Sequence, residues 1–181
     1  MPRMSYGIMQ LEELASKLRR IREALSYELP DFWWLSQGEE ALVSVRMLRK
    51  NGRLDIYETP RLSIKAAIRT IIENIELAKR LKGEEFYRAM RIIEEDVSRV
   101  VEVYSMVKEA HEIVRKIEHL KRMLAGKEIH KTKKDELNSV LDGTIRWIRE
   151  IFSTNPAEWR KRKDMFEKVV ERAEREIAEA G

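Results

Sequence analysis

The chain contains no cysteine, which excludes disulfides, thiolate metal sites and a cysteine nucleophile. Amides are scarce, limited to Gln10, Gln37, Asn51, Asn74, Asn138 and Asn155. No apolar run exceeds a few residues, so no segment can cross a bilayer as a helix. Residues 1–16 lack the basic start and apolar stretch of a signal peptide, and the expectation is an intracellular protein, cytoplasmic or carried inside a virion. G-x-S-x-G, a Gly-rich phosphate loop, G-K-[ST] and H-E-x-x-H are all missing. Carboxylate runs such as Glu94-Glu95-Asp96 fit a solvated helix face better than an acid–base pair. The three histidines do not match the ligand pattern of a di-iron bundle, which needs a glutamate three residues earlier. Lys108, Lys116 and Lys127 stand there instead. The expectation is therefore a non-enzymatic protein with no cofactor, no metal and no small-molecule substrate.

What is present is charge. Of 181 residues 38% are charged and 43% apolar, enough to bury a core beneath a dense ionic surface. Abundant Lys, Arg and Glu with few thermolabile residues is the composition expected of a hyperthermophile protein. The net charge is +4 and the pI near 9.2, a mild lean toward polyanionic partners.

Apolar spacing assigns a mainly all-α fold, a bundle of about five helices. Leu11, Leu14, Leu18, Ile21 and Leu25 form a stripe on a helix over residues 8–27, which Pro30 ends; an aromatic connector, Asp31-Phe32-Trp33-Trp34-Leu35, follows. One tryptophan of the adjacent pair is expected to anchor in the core or on a partner.

Residues 36–59 admit two readings. Ser36 with Glu39 resembles a capping box opening a helix to about Lys50, with Gly52 beyond its end. Alternatively Val43, Val45 and Met47, then Leu54 and Ile56, alternate around Asn51-Gly52, the signature of a β-hairpin over about 43–58. The hairpin is favoured, with Lys50 opposite Arg53 and Met47 facing Ile56.

Thr59-Pro60 predicts a helix start, and Ile64, Ile68, Ile71, Ile75 and Ala78 carry that helix to Lys82. Between Gly83 and Gly126 lie 42 residues without glycine or proline. They predict one helix over 84–125, about 60 Å long. Phe86, Met90, Ile93, Val97, Val100, Tyr104, Val107, His111 and Val114 keep a 4–3 alternation; Ile117, Leu120 and Leu124 continue it after a stammer. Such length suggests homo- or hetero-oligomerisation through this helix. Thr132 with Asp135 opens the next helix (Leu137, Leu141, Ile145, Ile148, Phe152, with Gly143 a weak point), and Asn155-Pro156 with Glu158 the last (Trp159, Phe166, Val169, Ala173, Ile177). Residues 1–35 then form an N-terminal helix with its connector, 36–59 a basic hairpin appendage and 60–181 the bundle core, in one domain overall.

Positive charge is clustered. Between Arg115 and Lys134 stand Arg115, Lys116, Lys121, Arg122, Lys127, Lys131, Lys133 and Lys134 against Glu118 and Glu128. Arg46, Arg49, Lys50 and Arg53 surround the hairpin tip, with no acid from Ala41 to Leu54. Arg160-Lys161-Arg162-Lys163 opens the last helix, and Lys17, Arg19, Arg20 and Arg22 lie on the first. Clustered cations on flexible stems suit phosphate backbones, where contacts release counterions without reading bases. Trp147, Trp159 and Tyr104 sit at core spacing rather than as stacking platforms.

In composition and architecture the chain resembles the basic, cysteine-free helical nucleocapsid proteins of viruses infecting hyperthermophilic archaea, which implies coating or packaging of duplex DNA. That is the expected function; a helical adaptor pairing with another protein is the alternative. Arg115 and His119 also resemble the Arg–His pair of helical HEPN-type ribonucleases, though only three residues separate them here, fewer than that motif has.

Overall fold

The computed structural model describes residues 2–28, 32–35 and 41–180. Among them are five α-helices and two small antiparallel strand pairs, a mainly-α fold with a β-hairpin. In chain order these are α1 (Pro2–Glu23), β1 (Leu42–Val43), β2 (Arg46–Asn51), β3 (Arg53–Glu58), β4 (Leu62–Ser63), α2 (Ile64–Ala78), α3 (Gly83–Gly126), α4 (Lys131–Thr154) and α5 (Glu158–Glu179). The chain divides into two compact units, Met1–Tyr104 and Ser105–Gly181, with the division falling inside α3.

In the first unit, Leu11, Leu18, Ile21 and Leu25 of the N-terminal stripe are buried and Leu14 half-buried. Trp34 is fully buried. Ser36 and Glu39 of the alternative helix lie outside the described residues, but from Leu42 onward the chain is strand.

The hairpin forms around Gly52, whose φ of 76° is the left-handed geometry that glycine tolerates without cost. Its register differs from expectation by one residue: Asn51 pairs with Arg53, Lys50 with Leu54 and Leu48 with Ile56. The cause lies upstream. Strand pairing breaks at Ser44-Val45, where β1 turns away to pair with β4. Val43 and Val45 are buried, but beyond the break Leu48 points inward while Met47 is only half-buried. A slip of one residue exchanges the faces of a strand.

Asn74 of α2 serves the free edge of β2 as a neighbouring strand would. Its Oδ1 accepts from Leu48 N–H (3.1 Å) and its Nδ2 donates to Arg46 C=O (2.8 Å). At 3% exposure, losing either bond would strand a buried polar group.

The Thr59 hydroxyl does not cap a helix; it donates to Val45 C=O at 2.7 Å. The true N-cap of α2 is Ser63, whose hydroxyl accepts from Ala66 N–H, because residues 62–63 are still paired to β1. Ile64, Ile68, Ile71, Ile75 and Ala78 are all buried. The helix ends at Ala78 rather than Lys82, with Arg80 and Leu81 N–H turning back to Leu77 and Ala78 C=O (both 3.0 Å). Gly83, at φ 62°, then admits α3.

Helix α3 is one unbroken helix of 44 residues. Met90, Ile93, Val97, Val100, Val107, His111 and Val114 are buried, Phe86 and Tyr104 half-buried. So are Ala89, Ile92, Val103, Met106, Ala110 and Ile113, which widens the covered face beyond a heptad seam. This stripe is core, covered by the chain's own elements.

The second unit is a three-helix bundle. Glu109 lies beside Arg160 and Lys163, and Lys127 reaches Ile177, so α3 and α5 run the same way. Lys121 pairs with Asp142 and Lys133 with Glu176, so α4 runs opposite to both. Phe152, Trp159 and Phe166 form a ladder through the core, ring centroids 5.6 and 5.8 Å apart. Helix α4 starts at Lys131, capped by His130 instead of Thr132. Asn155 is the C-cap of α4. Its carbonyl, with that of Pro156, accepts the first N–H groups of the turn into α5 (both 3.0 Å). Val170, not Val169, is the buried valine of α5.

Candidate nucleic-acid interface

The four clusters differ in how much charge remains after neighbouring acids are met. Arg46 is spoken for. Its backbone N–H donates to Asp96 Oδ2 (2.8 Å), and its guanidinium to Asp96 Oδ1 (2.9 Å) and Glu95 (2.7 Å). Asp96 is fully buried and also receives Arg99 at 3.2 Å. A buried carboxylate needs such pairing, so Arg46 fastens the hairpin to α3. The Glu95 carboxyl is held below its ordinary range by the hydrogen bond from Arg46.

At the hairpin tip, Lys50 pairs with Glu85, which also accepts from Leu54 N–H at 2.7 Å. These two bonds, the Lys50 one first, hold the Glu85 carboxyl below the ordinary value of 4.5. Arg53 is splayed outward, 85% exposed, with Asp55 at 3.3 Å. Arg49 and Arg80 are exposed and make no ion pair among the described residues. With Lys50 and Asn51 they border a groove of about 480 Å³ floored by Leu48, Leu77 and Leu81, and no carboxylate among the described residues lines it.

The second groove, about 620 Å³, lies on the second unit and is lined by Glu112, Arg115, Lys116, His119, Leu120, Arg122, Met123 and Glu174. Helical spacing explains the gathering: positions 115, 119 and 122–123 share one face of α3, and 116 flanks it. Arg115 has Glu112 at only 3.7 Å, both well exposed, a contact worth little. Lys116, His119 and Arg122 are exposed with no ion pair among the described residues. Here the positive charge stays available to a ligand.

The remaining candidates are mostly tied within the bundle. Lys121 meets Asp142 at 2.6 Å, and that hydrogen bond raises its pKa. Lys127 donates to Ile177 C=O (2.8 Å) and Lys134 to Ala125 C=O (3.4 Å), each near a helix C-terminus where a cation is favoured. Lys133 faces Glu176 at 3.8 Å, while Lys131 is exposed. On α5, Arg160 and Lys163 flank Glu109 (3.5 and 3.6 Å), and Lys161 and Arg162 approach Glu158 (3.5 and 3.8 Å). On α1, Lys17, Arg20 and Arg22 are exposed and Arg19 half-buried.

The histidines are dispersed among different tasks. His111 is buried at 3% exposure, His119 lies in the α3 groove, and the Nδ1 of His130 accepts from Thr132 N–H. One aromatic departs from its spacing: Trp147 is 44% exposed, with the Arg162 guanidinium 5.7 Å from its ring centroid. Core-compatible spacing did not reveal this, because a residue at the edge of an apolar stripe has the same period as one at its centre. The chain matches no protein family, no curated protein and no solved structure.

Proposed function

We propose that this protein is a non-enzymatic, structural nucleic-acid-binding protein that coats duplex DNA through sequence-independent phosphate contacts. The observation that carries the reading is the α3 groove, where Lys116 and Arg122 remain unpaired among the described residues and lie together in one concave site, while Lys121 and Lys127 are tied to Asp142 and Ile177 C=O. The hairpin groove, free of carboxylates among its lining residues, supports the same reading in the first unit. Such contacts predict binding to random-sequence duplex that weakens linearly in log affinity against log salt. Titrating labelled duplex of two unrelated sequences, with light scattering for the assembled mass, tests this. Affinity no better than millimolar at low salt would refute it, and a concentration-dependent mass without DNA would favour an adaptor or assembly subunit.

A ribonuclease reading has one supporting observation: Arg115 and His119 lie four residues apart on one face and line the same groove. RNA cleavage by the purified protein, abolished in His119→Ala, would establish it; intact RNA after prolonged incubation would end it.

A further inference from the structure

Tryptophan 147 stands at the surface end of the aromatic ladder of the second unit. Its indole meets Phe166 edge-on, centroids 5.4 Å apart and planes at 88°, and Phe166 stacks in turn on the fully buried Trp159. The ring is thus braced from beneath while 44% of the residue faces solvent. A large aromatic held in place at a charged surface keeps apolar area wet, and its rotamer is set before any ligand arrives.

Two neighbours give the site its chemistry. The Arg162 guanidinium lies over one face of the ring, 5.7 Å from its centroid and held only loosely to Glu158 at 3.8 Å, and Arg146 is exposed one residue before the tryptophan. Gly143, inside α4, stands one turn before the tryptophan. Helical side chains lean back over the preceding turn, so Trp147 leans toward residue 143. A Cβ built at Gly143 has nothing within 4 Å, so alanine would fit there without a clash. Helix interiors favour alanine over glycine, so Gly143 costs local stability, and it leaves the helix surface one turn before the tryptophan bare. Exposed aromatic surface beside guanidinium groups suits a flat, π-bearing, anionic ligand.

We infer that Trp147 is a stacking platform for an unpaired nucleobase, with Arg162 and Arg146 placed for the adjoining phosphates. The protein would then hold a single-stranded segment as well as duplex backbone. The inference rests on the nucleic-acid reading above and extends it, since bases inside a duplex cannot reach such a ring. The cationic flank favours a strand over an apolar protein surface.

The test compares labelled oligo(dT) with random duplex of equal length on wild type, Trp147→Ala, Trp147→Phe and Gly143→Leu. Base–aromatic stacking implies that Trp147→Ala weakens oligo(dT) binding roughly 10- to 100-fold, with Trp147→Phe losing much less. Gly143→Leu, which adds apolar bulk one turn before the ring without removing it, should weaken oligo(dT) while leaving thermal stability equal or higher. Duplex affinity should be unchanged in all three. Equal loss for duplex and single strand, or none for either, overturns the inference. Duplex binding without oligo(dT) binding in the wild type overturns it and leaves the proposed function standing; binding of neither sinks both. Self-association that disappears in Trp147→Ala, without strand binding, would mark the ring as a protein contact and also overturn it.

Discussion

Replacing both Lys116 and Arg122 with glutamine removes the two α3-groove cations that meet no acid among the described residues. Both side chains are exposed, so the change in stability should stay within about 0.5 kcal/mol. Binding should respond far more. Each phosphate contact contributes about −0.9 to the slope of log affinity against log salt, so the double variant should flatten the slope by about 1.8. Between 50 and 200 mM salt, that difference makes the wild type lose about 12-fold more affinity than the variant. The control carries the same charge change at bonded positions: Lys121→Gln with Lys127→Gln, whose partners are Asp142 at 2.6 Å and Ile177 C=O at 2.8 Å. It should lower the melting temperature and leave the slope alone. Fluorescence anisotropy on one random duplex at five salt concentrations suffices. An unchanged slope in the groove variant, or an equal flattening in the control, would refute the assignment of this groove to phosphate.

Three further outcomes follow from the first unit. Arg46→Met leaves fully buried Asp96 with Arg99 and one backbone N–H, and should cost on the order of 3 kcal/mol by chemical denaturation while the folded fraction keeps its duplex affinity. Gly7→Ala would bring a Cβ within 2.7 Å of Phe86 Cζ, so the half-buried ring must shift; an overpacking of about 1–3 kcal/mol, offset by about 1 kcal/mol of alanine's helix preference, should lower the melting temperature slightly. The Glu85 carboxyl is depressed below 4.5 in the folded protein, so its contribution is present above that pH and vanishes as pH falls through the lower folded value. The protection factor at Leu54 N–H, corrected for the intrinsic exchange rate, should therefore fall under acid more than in Glu85→Gln, and an equal fall in both would count against the linkage.

The architecture was legible where the signal is local. The long helix needs only the absence of breakers between Gly83 and Gly126, and the hairpin only Asn51-Gly52 between alternating runs. What escaped depends on partners far along the chain. Arg46 reads as one more cation of a basic hairpin until Asp96, fifty residues away, is placed against it. Thr59-Pro60 has the form of a helix start, but β4 intervenes to pair with β1, and Ser63 becomes the cap. The α3 groove was half visible: the cluster from Arg115 onward stands out by charge, but Glu174 arrives from α5. Which lysines stay available could not be read, because Asp142, Glu176 and Ile177 C=O are brought to them only by the bundle.

The cap of α4 has a sidedness that a hydroxyl cap such as Ser63 lacks. For His130 Nδ1 to accept from Thr132 N–H, its lone pair must be free, so the ring proton resides on Nε2 and one tautomer is selected. A serine hydroxyl can rotate to give or take a second hydrogen bond while it caps; the imidazole cannot, and with Nδ1 committed to the helix it turns only a donor edge to its surroundings. The exposed start of α4 therefore presents an N–H beside Lys131, a second group there that can only donate.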